Sequence, residues 1–190
     1  MKTQSERRTA LAPGRRRLAA AAGAALVCWH GRAALAQTAP QSAEAARARQ
    51  PLPAVGSVLR LPEATLLDGG KFRPADADGR VLVLYWWASW CPFCAQQSPH
   101  MQALWEKARP RGMRMLALSI DRRAEDARGH LEKKGYTFPA ALVTPEINQL
   151  LPKPYGLPVT LVRGPDGRVL QAESGQIFPE DVEALIRWLS

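Results

Sequence analysis

The chain has 190 residues, 46% of them hydrophobic and 23% charged, which suits one compact domain with its own core and excludes a disordered or membrane-embedded protein. Its net charge of +9 divides unequally: residues 1–36 hold 7 basic side chains against Glu6 alone (+6), and the remainder holds 19 basic and 16 acidic ones (+3). No basic stripe with interleaved aromatics survives that subtraction, so no nucleic-acid partner is expected.

Residues 1–36 read as an export address. Arg15-Arg16-Arg17 is followed by an apolar run from Leu18 to Val27 and by Ala34-Leu35-Ala36, a small-x-small cleavage site. The run is about half the roughly 20 residues needed to cross a bilayer, so a permanent anchor is the weaker reading. Gly14-Arg15-Arg16-Arg17-Leu18 resembles a twin-arginine export signal, and export by the general secretory route stays open beside it. Val27, which is not a small residue, stands before Cys28 and argues against lipidation there. Residues 37–55 read as a solvated linker, and the folded domain is expected over 56–190.

Within that domain, Val58–Leu61 and Ala64–Leu67 are short strand candidates, with Asp68-Gly69-Gly70 as a turn before Lys71 and Phe72, and together they suggest an N-terminal β-hairpin. Val81–Trp87 is a continuous apolar run, as expected for a central strand covered on both faces. Pro92 to about Lys107 predicts a helix with Met101, Leu104, Trp105 and Ala108 on one face and a kink at Pro99. Met113–Ile120 reads as a second buried strand, Ala124–Lys134 as a helix and Ala140–Val143 as a third strand. Val159–Arg163 and Arg168–Glu173 flank the turn Gly164-Pro165-Asp166-Gly167. Pro179–Leu189 closes the chain as an amphipathic helix. The fold class is α/β, a central mixed β-sheet flanked by helices.

Once the export segment is removed, Cys91 and Cys94 are the only cysteines, and they sit as C-x-x-C between a strand and a helix. A disulfide scaffold needs more cysteines, and a structural zinc site needs four ligands where only these two thiols and the distant His100 and His130 are on offer. With Cys91 as N-cap, Pro92 occupies the first helical position, where its missing N–H costs nothing, and Cys94 falls at the third. Free backbone N–H groups and the positive end of the helix dipole favour a thiolate at Cys91, and cysteines so placed titrate at about 3.5 to 7.5. The three-residue spacing brings Cys94 close enough to resolve a mixed disulfide formed at Cys91. The competing reading is a buried structural disulfide, but closing so short a loop adds little stability.

Tyr85-Trp86-Trp87-Ala88-Ser89-Trp90-Cys91-Pro92-Phe93-Cys94, followed by Pro99, resembles the active-site strand, loop and helix of thioredoxin-like proteins of the exported TlpA/ResA type. Gly156-Leu157-Pro158-Val159-Thr160 and the turn at Gly164–Arg168 resemble that family's cis-proline loop and following hairpin. The resemblance spans approximately Gly56 to Ser190. It implies a thioredoxin-like fold, an exposed Cys91, a shielded Cys94 and a cis Pro158 beside them, with Trp90, Pro92, Phe93, Leu157 and Pro158 meeting the substrate. It implies a periplasmic thiol-disulfide oxidoreductase acting on protein thiols and disulfides, as a reductant in cytochrome c maturation or for copper-site cysteines. The partner recharging it would be a membrane thiol electron donor, the chain would be a monomer, and no cofactor beyond the redox-active Cys91–Cys94 disulfide is implied.

Two positions depart from the pattern. Many such relatives have glutamate where this chain has Gln97, and thioredoxin has a buried aspartate where it has Tyr85, so water, the Cys91 sulfur or a partner's group must move the Cys94 proton. A redox potential between about −270 and −120 mV is expected, which leaves a disulfide-introducing oxidant of the same fold as an alternative. A peroxiredoxin-like peroxidase would place Thr or Ser three residues before the reactive cysteine and Pro seven before it, where this chain has Ala88 and Leu84. A copper-binding module would use Cys91, Cys94 and a third ligand such as His130, but copper-delivery relatives space their cysteines by three residues. Otherwise His100 and His130 are expected on a solvated helix surface.

Overall fold

The computed structural model describes residues 51–189; the export segment, Cys28 and most of the linker lie outside them. Strands β1 (Ala64–Thr65) and β2 (Lys71–Phe72) pair antiparallel, Ala64 opposite Phe72 and Thr65 opposite Lys71. A 3-10 turn at Pro74–Ala77 leads to β3 (Leu82–Trp87), then helix α1 (Pro92–Ala108), β4 (Arg114–Ser119), α2 (Ala124–Lys134) and β5 (Ala140–Leu142). Helix α3 (Pro145–Leu150), β6 (Val159–Arg163), β7 (Val169–Ser174) and α4 (Pro179–Ala184) follow. The main sheet has the order β5-β4-β3-β6-β7, with β3, β4 and β5 parallel and β6 antiparallel to both β3 and β7.

Every residue of β3 is buried, which is the reason its sequence shows no polar alternation. Successive side chains still point to opposite faces. Val83, Tyr85 and Trp87 pack with Met101, Leu104 and Trp105 of α1, Ala127 and Leu131 of α2 and Val182 of α4. Leu82, Leu84 and Trp86 pack on the other face with Leu59, Leu61, Phe72, Ile147 and Leu151. The strand therefore divides two apolar cores and ends where the cysteines begin.

The expected N-terminal hairpin is present, Ala64–Thr65 returning through Asp68-Gly69-Gly70 to Lys71–Phe72, but one of the strand candidates assigned to it lies elsewhere. Val58–Leu61 does not join it: Val58 makes a single bridge to Arg168, and the Gly56 and Leu59 amides donate to the Val169 and Gly167 carbonyls at 2.8 and 2.9 Å. Pro62, which has no N–H, separates this segment from β1, and the β6–β7 turn region satisfies its amides instead. Helix α1 continues through Pro99. Helix α3 was not foreseen, although Thr144 caps it by accepting the Ile147 amide at 3.3 Å and Pro145 stands at its first position. The closing helix is split, α4 giving way to a 3-10 segment at Leu185–Leu189.

His130 is not on a solvated face. Its ring lies 5.5 Å from that of Trp87 and 6.2 Å from that of Tyr136, and Tyr136 stacks on Phe138 at 5.5 Å. Burial foremost, then the charges of Lys134 and Lys133, pulls the His130 pKa below its ordinary 6.5, with Asp121 pulling the other way. An imidazole whose folded pKa is depressed contributes stability above its unfolded pKa and loses it as pH falls through the interval down to the folded value. The melting temperature of the parent is therefore expected to drop further than that of His130→Phe when pH is lowered from about 7.5 to about 5.5. Leu84→Ala, which empties volume beneath a fully buried strand, is expected to lower the unfolding free energy by about 3 kcal/mol in denaturant titration.

Candidate active site

After β3 the chain turns sharply, the Cys91 amide donating to the Ala88 carbonyl at 3.2 Å. Cys91 takes an extended conformation (φ −84°, ψ 116°) as N-cap of α1, with Pro92 next in the helix. Its sulfur accepts the Cys94 amide at 3.2 Å, satisfying one of the donors that a helix start leaves without an intrahelical partner. The Sγ atoms of the two cysteines stand 2.6 Å apart. The local sequence accounts for this geometry: Pro92 fixes helical φ at the first position, and a side-chain acceptor at the N-cap completes the turn.

Burial pushes the Cys94 thiol well above its ordinary value, the Cys91 sulfur beside it pushes the same way, and the Ala88 backbone opposes them. Cys94 is thus a thiol held in reserve, and it cannot attack until a base takes its proton. The expected exposure of Cys91 is not what the structure has. The residue is 4% exposed because the N-cap bond turns its sulfur inward over the first helical turn. Exposure belongs instead to its neighbours Trp90, at 65%, and Phe93, at 55%, with Pro92 also exposed. Leu157 is half-buried and packs against the cluster that holds both cysteines, Pro158 is buried, and the Leu157–Pro158 peptide bond is cis.

Neither position that departs from the family pattern is idle. Gln97 is fully buried, its Nε2 donating to Thr160 Oγ1 of β6 at 3.0 Å and its Oε1 accepting the Ile177 amide at 3.0 Å. Its amide satisfies all of this without ionising, where a carboxylate could not donate to the threonine. The Tyr85 hydroxyl lies 3.0 Å from Ser98 Oγ and donates to the Cys94 carbonyl at 3.4 Å, and burial raises its pKa far out of the working range.

Sequence reasoning missed Asp121. This carboxylate is 7% exposed and accepts the Ser89 amide at 3.1 Å, the Ser89 hydroxyl at 2.7 Å and the Ser119 hydroxyl at 2.7 Å. It anchors the loop that carries Trp90 and Cys91. The signal was an acidic residue just past the C-terminal end of a buried strand, where sites of α/β proteins gather. His100 lines a groove between α1 and α4 with Lys107 and Glu180, and His130 is held among aromatic rings. Neither joins the cysteines, and among the described residues no three His, Cys, Asp or Glu side chains are grouped to hold a metal ion.

Residues 56–171 match the AhpC/TSA family. Thiol-disulfide oxidoreductase ResA of Geobacillus kaustophilus (strain HTA426) is 30% identical over 68% of this chain and 75% of its own length. A putative thiol:disulfide interchange protein DsbE from Chlorobium tepidum superposes with a TM-score of 0.62 at 27% identity, covering 72% of this chain and 95% of that one. A second interchange protein, of the thioredoxin family, from Chlorobium tepidum TLS shares the fold with a TM-score of 0.66 at 19% identity, over 73% of this chain and 99% of that one. The paired sulfurs at a helix start and these relatives agree: the chain belongs to the AhpC/TSA family of thioredoxin-like proteins and is an enzyme of its thiol-disulfide oxidoreductase type.

Proposed function

We propose that this enzyme is exported to the periplasm and exchanges disulfides with protein substrates as a reductant, serving the cysteines of apocytochrome c or of copper sites. The observation that carries the exchange chemistry is Cys91 Sγ, seated on the Cys94 amide at 3.2 Å with Cys94 Sγ 2.6 Å away. The Cys91 thiolate attacks one sulfur of a substrate disulfide; that S–S bond breaks, the other substrate sulfur leaves as thiolate, and a mixed disulfide forms. Cys94 then loses its proton and attacks Cys91, releasing the second substrate thiol. Two electrons pass to the substrate and the Cys91–Cys94 disulfide remains. A membrane thiol electron donor restores the dithiol, and no other cofactor enters.

Substrate contact is assigned to Trp90, Pro92, Phe93, Leu157 and Pro158. Support comes from the exposed rings flanking Cys91 and from the backbone of Leu157, whose N–H and C=O bond to no described residue. An extended substrate segment can pair with such an edge. Export rests on residues 1–36, and among the described residues no helix is long and apolar enough to cross a membrane. The domain is taken as residues 56–190 acting as a monomer. The reductant direction rests on the family resemblance.

The family name also raises thiol peroxidase activity. Three and seven residues before Cys91 stand Ala88 and Leu84, both buried and neither offering a hydroxyl to hold a peroxide. Peroxide is therefore expected not to be consumed stoichiometrically with a thiol donor.

Cys91→Ser is expected to abolish disulfide exchange, whereas Cys94→Ser should still attack and should trap the substrate as a covalent adduct visible on non-reducing gels. Exchange at the parental rate in Cys91→Ser would overturn the assignment. Titration of residues 37–190 against glutathione buffers, followed by tryptophan fluorescence, is expected to give a potential near or below about −220 mV; a value near −120 mV would make the enzyme an oxidant.

A further inference from the structure

Lys153 belongs to no part of the exchange chemistry, yet it is built into the loop beside the dithiol. Its Nζ donates to the Pro154 carbonyl at 2.6 Å and to the Gly156 carbonyl at 3.1 Å. Its own amide donates to Asn148 Oδ1 at 3.2 Å. Burial pulls its pKa below the ordinary lysine value, and none of the ion pairs among the described residues includes it. A half-buried ammonium without a counter-ion is unfavourable unless its donors are used, and here two of the three are used on neighbouring carbonyls.

From the other side, Ser174 Oγ donates to the Tyr155 carbonyl at 2.9 Å, and the Gly175 amide donates to the Pro158 carbonyl at 2.8 Å. The carbonyls of 154, 155, 156 and 158 are thus all occupied, and Leu157 is left as the only residue of this stretch with a free backbone acceptor. Beside it Gly156 adopts φ +83°, a left-handed conformation that an L side chain rarely takes, and Tyr155 is 67% exposed.

We infer that Lys153 is a positioning residue for polypeptide substrates: by holding the Pro154 and Gly156 carbonyls it presents the free Leu157 backbone and the Tyr155 ring to an extended, apolar segment around the substrate cysteine. The inference rests on the disulfide-exchange function proposed above and names what that site selects. A small disulfide has no chain to lay along this edge and gains nothing from it. Lys153 therefore discriminates between a protein and a small-molecule disulfide, whereas the sulfur chemistry does not.

The test compares the parent, Lys153→Met and Lys153→Arg with insulin as protein disulfide and hydroxyethyl disulfide as small one. Lys153→Met is expected to raise KM for insulin about tenfold with kcat within about twofold, from loss of two charge-assisted hydrogen bonds, and to leave the ratio of insulin to hydroxyethyl disulfide turnover correspondingly reduced. Lys153→Arg is expected to restore most of the KM. Should Lys153→Met fold poorly, Ser174→Ala, which frees the Tyr155 carbonyl, is expected to give the same split at smaller amplitude. Equal loss with both disulfides, a fall in kcat with KM unchanged, or parental kinetics would overturn the inference. A parent that fails to reduce insulin through Cys91 would instead overturn the underlying function.

Discussion

The hydrogen bond from the Cys94 amide to the Cys91 sulfur is the contact around which the molecule is arranged. It requires a helix that begins at one residue and no other, and that start requires a strand to deliver the chain there without slack. Strand β3 meets the requirement by being buried along its whole length, flanked by β4 and β6, with a packed core on each face. Slippage by one residue would turn Trp86 and Trp87 into the wrong cores, so the register of the strand fixes the position of Cys91.

The second constraint is that, among the described residues, no carboxylate is bonded to Cys94. Gln97 and Tyr85, the side chains nearest to that role, are both committed to fixed neutral partners. The nearby acid that does exist, Asp121, spends its charge on Ser89 and Ser119 and holds the active-site loop. Proton removal from Cys94 must therefore involve the Cys91 sulfur, water or the partner, and the burial that raises the Cys94 pKa keeps the dithiol quiet until a partner arrives.

Much of this was legible in the residues. The apolar run at 81–87 identified the central strand, and Cys-Pro-Phe-Cys placed the two cysteines at a strand-to-helix junction, where their sulfurs meet, because both signals are local. The hairpin at 64–72 was legible in its turn residues, whereas the place of Val58–Leu61 was not, because edge pairing is decided at a distance: Val58 pairs with Arg168, more than a hundred residues on. Helix α3 escaped because six residues carry too little periodicity, although Thr144-Pro145 announced it. The burial of Cys91, the stacking of His130 and the anchoring by Asp121 depend on which side chains converge in space, and spacing along the chain does not carry that.

Gln97 links three parts that the sequence keeps far apart: the helix bearing Cys94, strand β6 that continues from Pro158, and the segment before α4. One amide thus couples the backbone alongside the dithiol to the helix carrying the second sulfur, as a rivet joins overlapping plates. A partner that bends strand β6 must strain this joint. Selection at such a surface works by fit to a preset shape, and conformational adjustment falls to the incoming chain rather than to the enzyme.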